Sequence, residues 1–251
     1  MISTVLSEKI SEETINIRYS DIDVDKSLKP FCLLNFFQDI ASDNAERLGF
    51  GYSFIYPKNL IWVLLKYRIE FNDYPSDIQK LTLRTEPRGF NKLFAYRDFE
   101  LFSGEHLIAR ASSMWTLVDI VNKSLTNIGN VIIDNSYMSK YMPSEDDLKF
   151  EKIPNLEKAD FEKEFEVRYN DIDVNMHANN GNYIIWALEP LDHNFRLNHK
   201  LKNIDMIFKK ESKLGDKIMS RVQMINNNVS VHSLINAETK EDLCLLKCEW
   251  T

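Results

Sequence analysis

The chain has 251 residues, a formal net charge of −7 and a sequence pI near 5.4. This acidity argues against non-specific nucleic-acid binding, which needs clustered Lys and Arg side chains against phosphate. Glycine and proline, seven residues each, are too scarce for a fibrous or disordered chain, and no apolar run approaches the roughly 20 residues of a membrane span. The polar first 13 residues show no secretory signal, so we expect a cytoplasmic protein.

The first half of the chain predicts a strand, a long helix and four more strands. Alternating apolar residues predict a strand over residues 14–19. Helical spacing then predicts a long, largely buried helix, which Gly49 and Gly51 end. Its apolar residues are Leu33, Leu34, Phe36, Phe37, Ile40, Ala41, Ala45 and Leu48. Strands are predicted over residues 60–71, 78–86, 93–102 and 106–121, with a break at 87–89.

The second half predicts the same order of elements. Strands are predicted over residues 161–169, 204–210, 217–225, 229–237 and 243–250. A shorter helix over 182–192 is expected to end or kink near Pro190. Trp115 and Trp250 are expected in equivalent last strands. An antiparallel sheet wrapped around a central helix is an α+β architecture called the hot-dog fold. We therefore predict two tandem hot-dog domains, at 1–133 and 161–251, joined by a charged linker at 134–160.

A near-repeat of seven residues supports this duplication. Residues 168–174, RYNDIDV, repeat residues 18–24, RYSDIDV, 150 positions earlier with one substitution. The copies then diverge, so that His177 stands where the first copy has Ser27, and Asn175 stands where it has Asp25. Because the scaffold does not require a histidine at this position, we predict that His177 is functional and that the second copy carries the reactive site.

Polar residues cluster before the predicted helix of the second copy. They are Asp173, Asn175, His177, Asn179 and Asn180. A helix N-terminus offers unpaired N–H groups and partial positive charge, which suit a developing oxyanion. A histidine transfers protons near neutral pH. The asparagines are candidates for hydrogen-bonding a substrate or a water molecule, whereas the shared aspartates have an alternative role in capping the turn.

Glu211 ends a predicted strand in the segment FKKES. Such a carboxylate can act as a general base, although a solvated Glu in a charged turn is the simpler explanation from the residues alone. No Gly-rich phosphate loop, metal-ligand cluster or Ser-His-Asp order is apparent, so we expect no cofactor. His232 is expected to face solvent from its strand, with a place beside the site as the alternative.

Residues 171–183, DIDVNMHANNGNY, resemble the motif of the acyl-acyl carrier protein thioesterases of bacteria and plants, which end fatty-acid synthesis. The matching residues are Asp171, Asp173, Asn175, His177, Asn179, Asn180 and Tyr183. Ala178 replaces the usual Val. Residues 208–211, FKKE, resemble the family's Tyr-Arg-Arg-Glu segment, and Glu249-Trp250 resembles its closing Glu-Trp.

The resemblance implies a tandem hot-dog enzyme that hydrolyses fatty acyl-acyl carrier protein to a free fatty acid and holo carrier protein. The catalytic residues would be Asp173, Asn175, His177 and Glu211, with Asn179 and Asn180 binding substrate. Asn175 and His177 would position the thioester and the water. Glu211 or Asp173 would act as the base, or would attack the carbonyl and form an anhydride.

The substrate implies two further regions in this chain. We expect the acyl chain in the first half, beside Leu33, Phe36, Phe37, Ile40 and Trp62, although these side chains have an alternative role as plain core. We expect the acidic carrier protein, with its phosphopantetheine-linked acyl group, to dock on local cations. The candidate cations are Lys209, Lys210, Lys213, Arg84, Arg88, Lys92 and Arg97.

Two other functions fit the same predicted fold. One is an acyl-coenzyme A thioesterase, in which only the carrier differs. The other is a non-catalytic acyl-chain binding protein, against which His177 argues. The two halves can satisfy each other's sheet edges, so the chain is predicted to be a monomeric pseudo-dimer or a homodimer.

Overall fold

The computed structural model of the chain describes residues 7–74 and 80–251. Elements of the first half are β1 (Ser11–Asn16), α1 (Pro30–Arg47), α2 (Tyr52–Ile55), β2 (Leu60–Phe71), β3 (Lys80–Phe90), β4 (Ala95–Ser103), β5 (His106–Asp119) and β6 (Ser124–Thr126). Elements of the second half are β7 (Phe161–Glu166), α3 (Asn180–Leu188), α4 (His193–Asn198), β8 (Leu201–Phe208), β9 (Lys217–Asn226), β10 (Val229–Asn236) and β11 (Asp242–Trp250). The predicted tandem order is therefore confirmed, and residues 134–160 form no helix or named strand.

The strands of both halves join one antiparallel sheet across the described residues. Its order is β1-β3-β4-β5-β2-β8-β11-β10-β9-β7, with β6 on β5. The register relates the halves residue by residue. Trp115 lies opposite Leu64, and Trp250 lies opposite Leu201, each directly after a shift in pairing. The two tryptophans therefore occupy equivalent positions, as predicted.

The seam between the halves is the pairing of β2 with β8, where Arg68 lies opposite Asp205. Arg68 Nη1 donates to Asp205 Oδ2 at 2.5 Å, and both residues are buried, 6% and 3% exposed. Arg68 Nη2 also donates to Glu70 at 3.0 Å. In the register that equates Leu64 with Leu201, Arg68 and Asp205 are counterparts of each other. Their pair therefore marks the local twofold axis of the molecule.

The two central helices pack against each other inside the sheet. A Cβ atom on Gly181 would come within 2.9 Å of the Phe31 ring and 2.8 Å of Asn35 Oδ1, so the α1–α3 crossing requires glycine there. α3 ends at Leu188, and the chain resumes helical structure only in α4. This confirms the end predicted near Pro190, since proline lacks the N–H that a continuing helix needs. No helix in the described ranges is long and apolar enough to cross a membrane.

Several bounds differ from the prediction: β7 ends at Glu166 and not at Tyr169, β8 covers Leu201–Phe208 and not 204–210, and α3 covers Asn180–Leu188 and not 182–192. β3 continues through the predicted break to Phe90, because its pairing shifts between Pro87 and Gly89 and absorbs the proline in a bulge. Gly89 has φ +104°, and a Cβ there would lie 2.5 Å from the Ser139 carbonyl oxygen. β1 ends at Asn16, since residues 19–21 form a 3₁₀ turn. The predicted start of β3 at Ile78 lies outside the described residues.

Candidate active site

The near-repeat forms the same turn in both copies. The Asp173 N–H donates to the His177 carbonyl oxygen at 2.8 Å, and the Asp23 N–H donates to the Ser27 carbonyl oxygen at 2.8 Å. Each turn leads directly into the N-terminus of a central helix. The backbone is thus shared, and the difference between the copies lies in the side chains.

Asp171 serves the scaffold, as its counterpart in the first copy suggested. It is buried and accepts the Arg168 backbone N–H at 2.8 Å, with the Arg168 guanidinium at 2.9 and 3.1 Å. Its own carbonyl oxygen accepts the Asn182 side-chain amide at 2.9 Å. These contacts tie the 3₁₀ turn to α3 and leave Asp171 no role at the reacting centre.

Asp173 orients the residues that follow it. Its Oδ1 accepts the Asn175 N–H at 2.8 Å and lies 3.4 Å from the His177 N–H, while its Oδ2 faces the Asn175 side-chain amide at 3.4 Å. A carboxylate engaged on both oxygens is poorly placed to accept a proton from water. Asp173 therefore fits a positioning role better than the role of base.

The structure brings His177 and Glu211 together. His177 Nδ1 lies 3.2 Å from Glu211 Oε2, and their side chains are 28% and 51% exposed. A neutral imidazole that donates its Nδ1–H to this carboxylate leaves Nε2 as a free acceptor. The pair therefore has the base-and-orienter geometry of a proton-transfer site, open to water on one side.

Tyr183 and Ser212, which the residue pattern did not single out as a pair, hold Glu211 in place. The Tyr183 hydroxyl accepts the Ser212 N–H at 3.0 Å and donates to Ser212 Oγ at 3.1 Å. The Ala178 N–H donates to the Ser212 carbonyl oxygen at 2.8 Å. The segment after β8 is thereby bound both to α3 and to the turn that carries His177.

The start of α3 meets the other copy. Asn179 Oδ1 accepts the Gly181 N–H at 2.7 Å and so caps the helix, an engagement with which substrate binding would compete. Asn180 Nδ2 donates to Gln38 Oε1 at 3.4 Å. Gln38 comes from α1, so the first half contributes a polar side chain beside the second-half site. Sequence reasoning missed this residue because only the packing of the two helices brings it there.

The residues predicted to line an acyl channel are packed as core in this structure. Leu33, Phe37 and Ile40 are 1%, 0% and 2% exposed, and Phe36 packs against the same cluster. Trp62 belongs to a second cluster, and its Nε1–H donates to the Phe50 carbonyl oxygen at 2.9 Å. An acyl chain beside α1 would have to displace these side chains, and the channel stays a prediction.

Two other predictions about single residues were wrong. Arg97 is not a docking cation, because it is buried and donates to Asn44 Oδ1 at 2.8 Å and Thr85 Oγ1 at 3.0 Å. His232 does not face solvent, because it lies wholly inside the core. Its Nδ1 is 2.7 Å from the Ala187 carbonyl oxygen. Burial lowers the pKa of the His232 imidazole to about 4, so it is neutral near pH 7.

Two of the cations predicted beside the site are paired. Lys209 Nζ lies 2.7 Å from Asp242, and Lys210 Nζ lies 2.5 Å from Glu241.

Thiol nucleophiles are disfavoured, since burial raises the pKa of Cys32 to about 11 and raises those of Cys244 and Cys248 further. Within residues 7–74 and 80–251, no three His, Cys, Asp or Glu side chains converge as a metal site.

Family models match almost the whole chain. Residues 8–135 match the acyl-ACP thioesterase N-terminal domain, and residues 154–251 match the acyl-ACP thioesterase C-terminal domain. The unmatched stretch between them falls within the predicted linker, but the domain roles stay a prediction.

Curated relatives carry related names. The chain is 27% identical to acyl-[acyl-carrier-protein] hydrolase FATB3, chloroplastic, of Cuphea viscosissima, over 95% of this chain and 61% of that protein. It is 27% identical to palmitoyl-acyl carrier protein thioesterase, chloroplastic, of Arabidopsis thaliana, over 80% of this chain and 52% of that protein. The chain thus spans 61% of the length of the first relative and 52% of the length of the second. Since "chloroplastic" describes those proteins, the location of this chain stays a prediction.

Solved structures share the fold over the whole chain. The 12:0-ACP thioesterase from Umbellularia californica superposes with a TM-score of 0.86 at 18% identity, covering 98% of this chain and 99% of that one. An acyl-ACP thioesterase from Bacteroides thetaiotaomicron gives a TM-score of 0.83 at 22% identity, covering 97% and 98%. These likenesses establish the predicted tandem hot-dog fold.

Proposed function

The chain belongs to the acyl-ACP thioesterase family, and we propose that it hydrolyses fatty acyl-acyl carrier protein to a free fatty acid and holo carrier protein. The observation that carries this proposal is the His177–Glu211 contact of 3.2 Å at the start of α3. The first copy keeps the turn but has Ser27 in place of His177. A feature that the fold does not need is thus present in one copy only.

His177 and Glu211 move the proton in this proposal. With Nδ1–H donated to Glu211, His177 Nε2 accepts a proton from water as the water oxygen attacks the thioester carbonyl carbon. Glu211 stabilises the imidazolium that forms, and the imidazolium then returns the proton to the leaving thiolate. Tyr183 and Ser212 keep Glu211 within reach, as their hydrogen bonds of 3.0 and 3.1 Å indicate.

The start of α3 stabilises the oxyanion. The partial positive charge of its N-terminus lies shortly after His177 in the chain, while Asn179 already accepts the Gly181 N–H there. Asn175 is exposed at the same turn and is aimed by Asp173, so its amide is available to the carbonyl oxygen or to the attacking water. Asp173 acts through Asn175 and His177 and does not take the proton itself.

A covalent route uses the same residues. Glu211 would attack the carbonyl carbon and form an anhydride, which water then hydrolyses. Its half-exposed carboxylate permits this route sterically. Hydroxylamine added during turnover distinguishes the routes, because it converts a Glu211 anhydride into a hydroxamate that peptide mass spectrometry detects. A peptide that remains unmodified while hydrolysis proceeds supports water attack.

Free thiol released from a panel of acyl-carrier substrates of graded length tests the function. We expect turnover by the wild type and a loss of about 10²–10⁴-fold in kcat for Glu211→Gln, which keeps the size of the side chain but removes its charge. Glu241→Gln is the matched control, since Glu241 is an exposed carboxylate paired with Lys210. Equal turnover by Glu211→Gln and wild type would remove Glu211 from the mechanism.

The preference for one acyl carrier distinguishes the proposed function from the main alternative, an acyl-coenzyme A thioesterase. Matched acyl-carrier and acyl-coenzyme A thioesters give a higher kcat/KM for the carrier form if docking contributes. Binding of acyl chains without thiol release by any variant or the wild type would instead identify an acyl-binding protein. We also propose a monomer, which is supported by the internal pairing of β2 with β8, and light scattering over a range of concentrations tests it.

A further inference from the structure

We propose that the turn of the first copy forms a second ligand site, which binds a free carboxylic acid with a short apolar tail. A cavity of about 230 Å³ opens at this turn, beside Asp25 and Ser27. These residues are the counterparts of Asn175 and His177, so the cavity takes the position that the candidate active site takes in the second copy. The inference goes beyond the proposed function, and only the source of the carboxylate, as reaction product, rests on it.

The cavity does not carry the proton-transfer pair of the second copy. The Ser27 hydroxyl donates to Asp25 Oδ1 at 2.5 Å and is therefore engaged. Tyr74 stands three residues after β2, as Glu211 stands three residues after β8. The Tyr74 hydroxyl donates to the Leu201 carbonyl oxygen at 2.5 Å, and burial raises its pKa above the ordinary value. A ligand bound in this cavity therefore does not meet an imidazole–carboxylate pair like that of the second copy.

The break at Pro190 brings new side chains to this cavity. α1 runs for 18 residues, whereas its counterpart stops at Leu188 and resumes as the six-residue α4. Side chains from α4 and the residues after it then form one wall. They are His193, Arg196, Leu197, His199 and Lys200. These side chains cover the turn of the first copy. If the helix continued unbroken past Leu188, they would lie at other positions.

Arg196 and Lys200 supply the binding site for an anionic head group. Arg196 Nη2 lies 3.9 Å from Asp23 Oδ2, and Lys200 Nζ lies 3.7 Å from Asp25 Oδ2. Arg196 Nη1 lies 3.4 Å from Glu189. Arg196 Nη1 thus donates a long hydrogen bond to Glu189, whereas the contacts with Asp23 and Asp25 are longer than the about 2.7–2.9 Å of a charge-assisted hydrogen bond, so both cations keep N–H groups for an incoming anion. Asp23 and Asp25 accept N–H groups of their own turn with Oδ1, which holds the two carboxylates in place beside the cations.

Apolar side chains complete the cavity. They are Leu28, Pro30, Leu188, Leu201 and Trp250. A smaller void of about 20 Å³ lies beyond, lined by Phe71, Leu101 and Ile108 and sharing Leu28 and Tyr74 with the first. At about 10–15 Å³ of such space for each water-sized group, the larger cavity accommodates a head group with a short chain.

Calorimetric titration of the full chain with sodium octanoate tests the inference. We expect binding that weakens about tenfold or more in Arg196→Gln/Lys200→Gln, because both head-group cations are lost. Lys58→Gln/Arg221→Gln removes one lysine and one arginine outside the cavity and should leave the affinity unchanged. Each methylene removed from the probe weakens binding by up to about fourfold. Octan-1-ol, which has no charge, should bind more weakly than octanoate.

A second titration, in His177→Ala, separates this site from the catalytic one. Octanoate binding that persists in His177→Ala and is lost in Arg196→Gln/Lys200→Gln supports the inference. Binding lost in His177→Ala but retained in Arg196→Gln/Lys200→Gln places the carboxylate at the candidate active site and overturns it. A Kd weaker than about 10 mM in the wild type also overturns it. Thiol release without added fatty acid stays unchanged in Arg196→Gln/Lys200→Gln, so failure of the proposed function is read separately.

Discussion

The two helix-entry turns share a backbone and differ in chemistry. Both use an aspartate N–H to close the turn at 2.8 Å. In the second copy, the His177 imidazole lies 3.2 Å from the Glu211 carboxylate. In the first copy, the Ser27 hydroxyl donates to Asp25 Oδ1 at 2.5 Å. Contacts found in both copies therefore belong to the fold, and those found in one are candidates for function. This separates Asp171 from His177 and Glu211, whereas Asp173 shares only its backbone contact with Asp23, because its Oδ1 accepts the Asn175 N–H and that of Asp23 accepts the Val24 N–H.

Removal of His177 should give the largest difference between the copies. We expect His177→Ala to lower kcat by about 10²–10⁴-fold, because water attack and thiol departure both lose their proton carrier. His106→Ala is the control, since His106 is an exposed histidine beside Asp73. Thiol release measures both variants, and circular dichroism checks their folding. A loss below about tenfold would mean that the asymmetry between the turns does not mark the reactive site.

The seam between the halves should be sensitive to its central charge pair. Arg68→Leu leaves the Asp205 carboxylate buried without its partner, so we expect the free energy of unfolding to fall by about 3–5 kcal/mol. Urea unfolding measures this loss. The double variant Arg68→Leu/Asp205→Leu should recover most of it, because no buried charge remains. A double variant as unstable as the single one would contradict this account.

The core beneath each central helix differs in its response to acid. Phe37 stacks on Phe99 at 4.5 Å in the first half, whereas the corresponding place in the second holds Ala187 and His232. The pKa of His232 is about 4 when folded and near 6.5 when unfolded. The unfolded chain therefore binds more protons between these values, and stability present above pH 6.5 falls as the pH drops towards 4. The expected loss is up to about 3 kcal/mol.

Urea midpoints at several pH values test this difference. His232→Gln should show a shallower fall in stability between pH 6.5 and 4 than the wild type, and His106→Gln, with its exposed imidazole, should follow the wild type. His232→Phe, which copies the first half, provides a second variant without a titrating group. If all variants share the slope of the wild type, another group is responsible for the acid sensitivity.

Grafting the second turn onto the first should have the smallest effect. We expect Asp25→Asn/Ser27→His in a His177→Ala background to restore no thiol release, because Tyr74 and not a carboxylate stands where Glu211 would be needed. The graft tests whether the turn residues suffice. Restored turnover would show that they do, and that the grafted site works without a carboxylate at the position of Tyr74.

Local pattern predicted most of the fold because periodicity and the repeat fix elements and their order. It also singled out His177, since the aligned copies differ there, and the role of His177 stays a prediction. It missed Gln38 and the Tyr183–Ser212 contact, which join residues distant in sequence through helix packing and the bend after β8. It misplaced His232 because its partners, the Ala187 carbonyl oxygen and the Ser230 hydroxyl, make burial of a polar ring possible, and no strand pattern reveals such partners.

The position of Arg68 and Asp205 on the local axis has a consequence for how such a molecule can assemble. In a dimer of identical halves, the residue on the axis meets its own copy. Two first halves would set arginine against arginine in the buried seam, and two second halves would set aspartate against aspartate. Like charges directly opposite each other repel. The seam therefore favours pairing of one half with the other and disfavours pairing of either half with its own copy. A single chain can acquire this specificity only because its two linked halves have diverged in sequence.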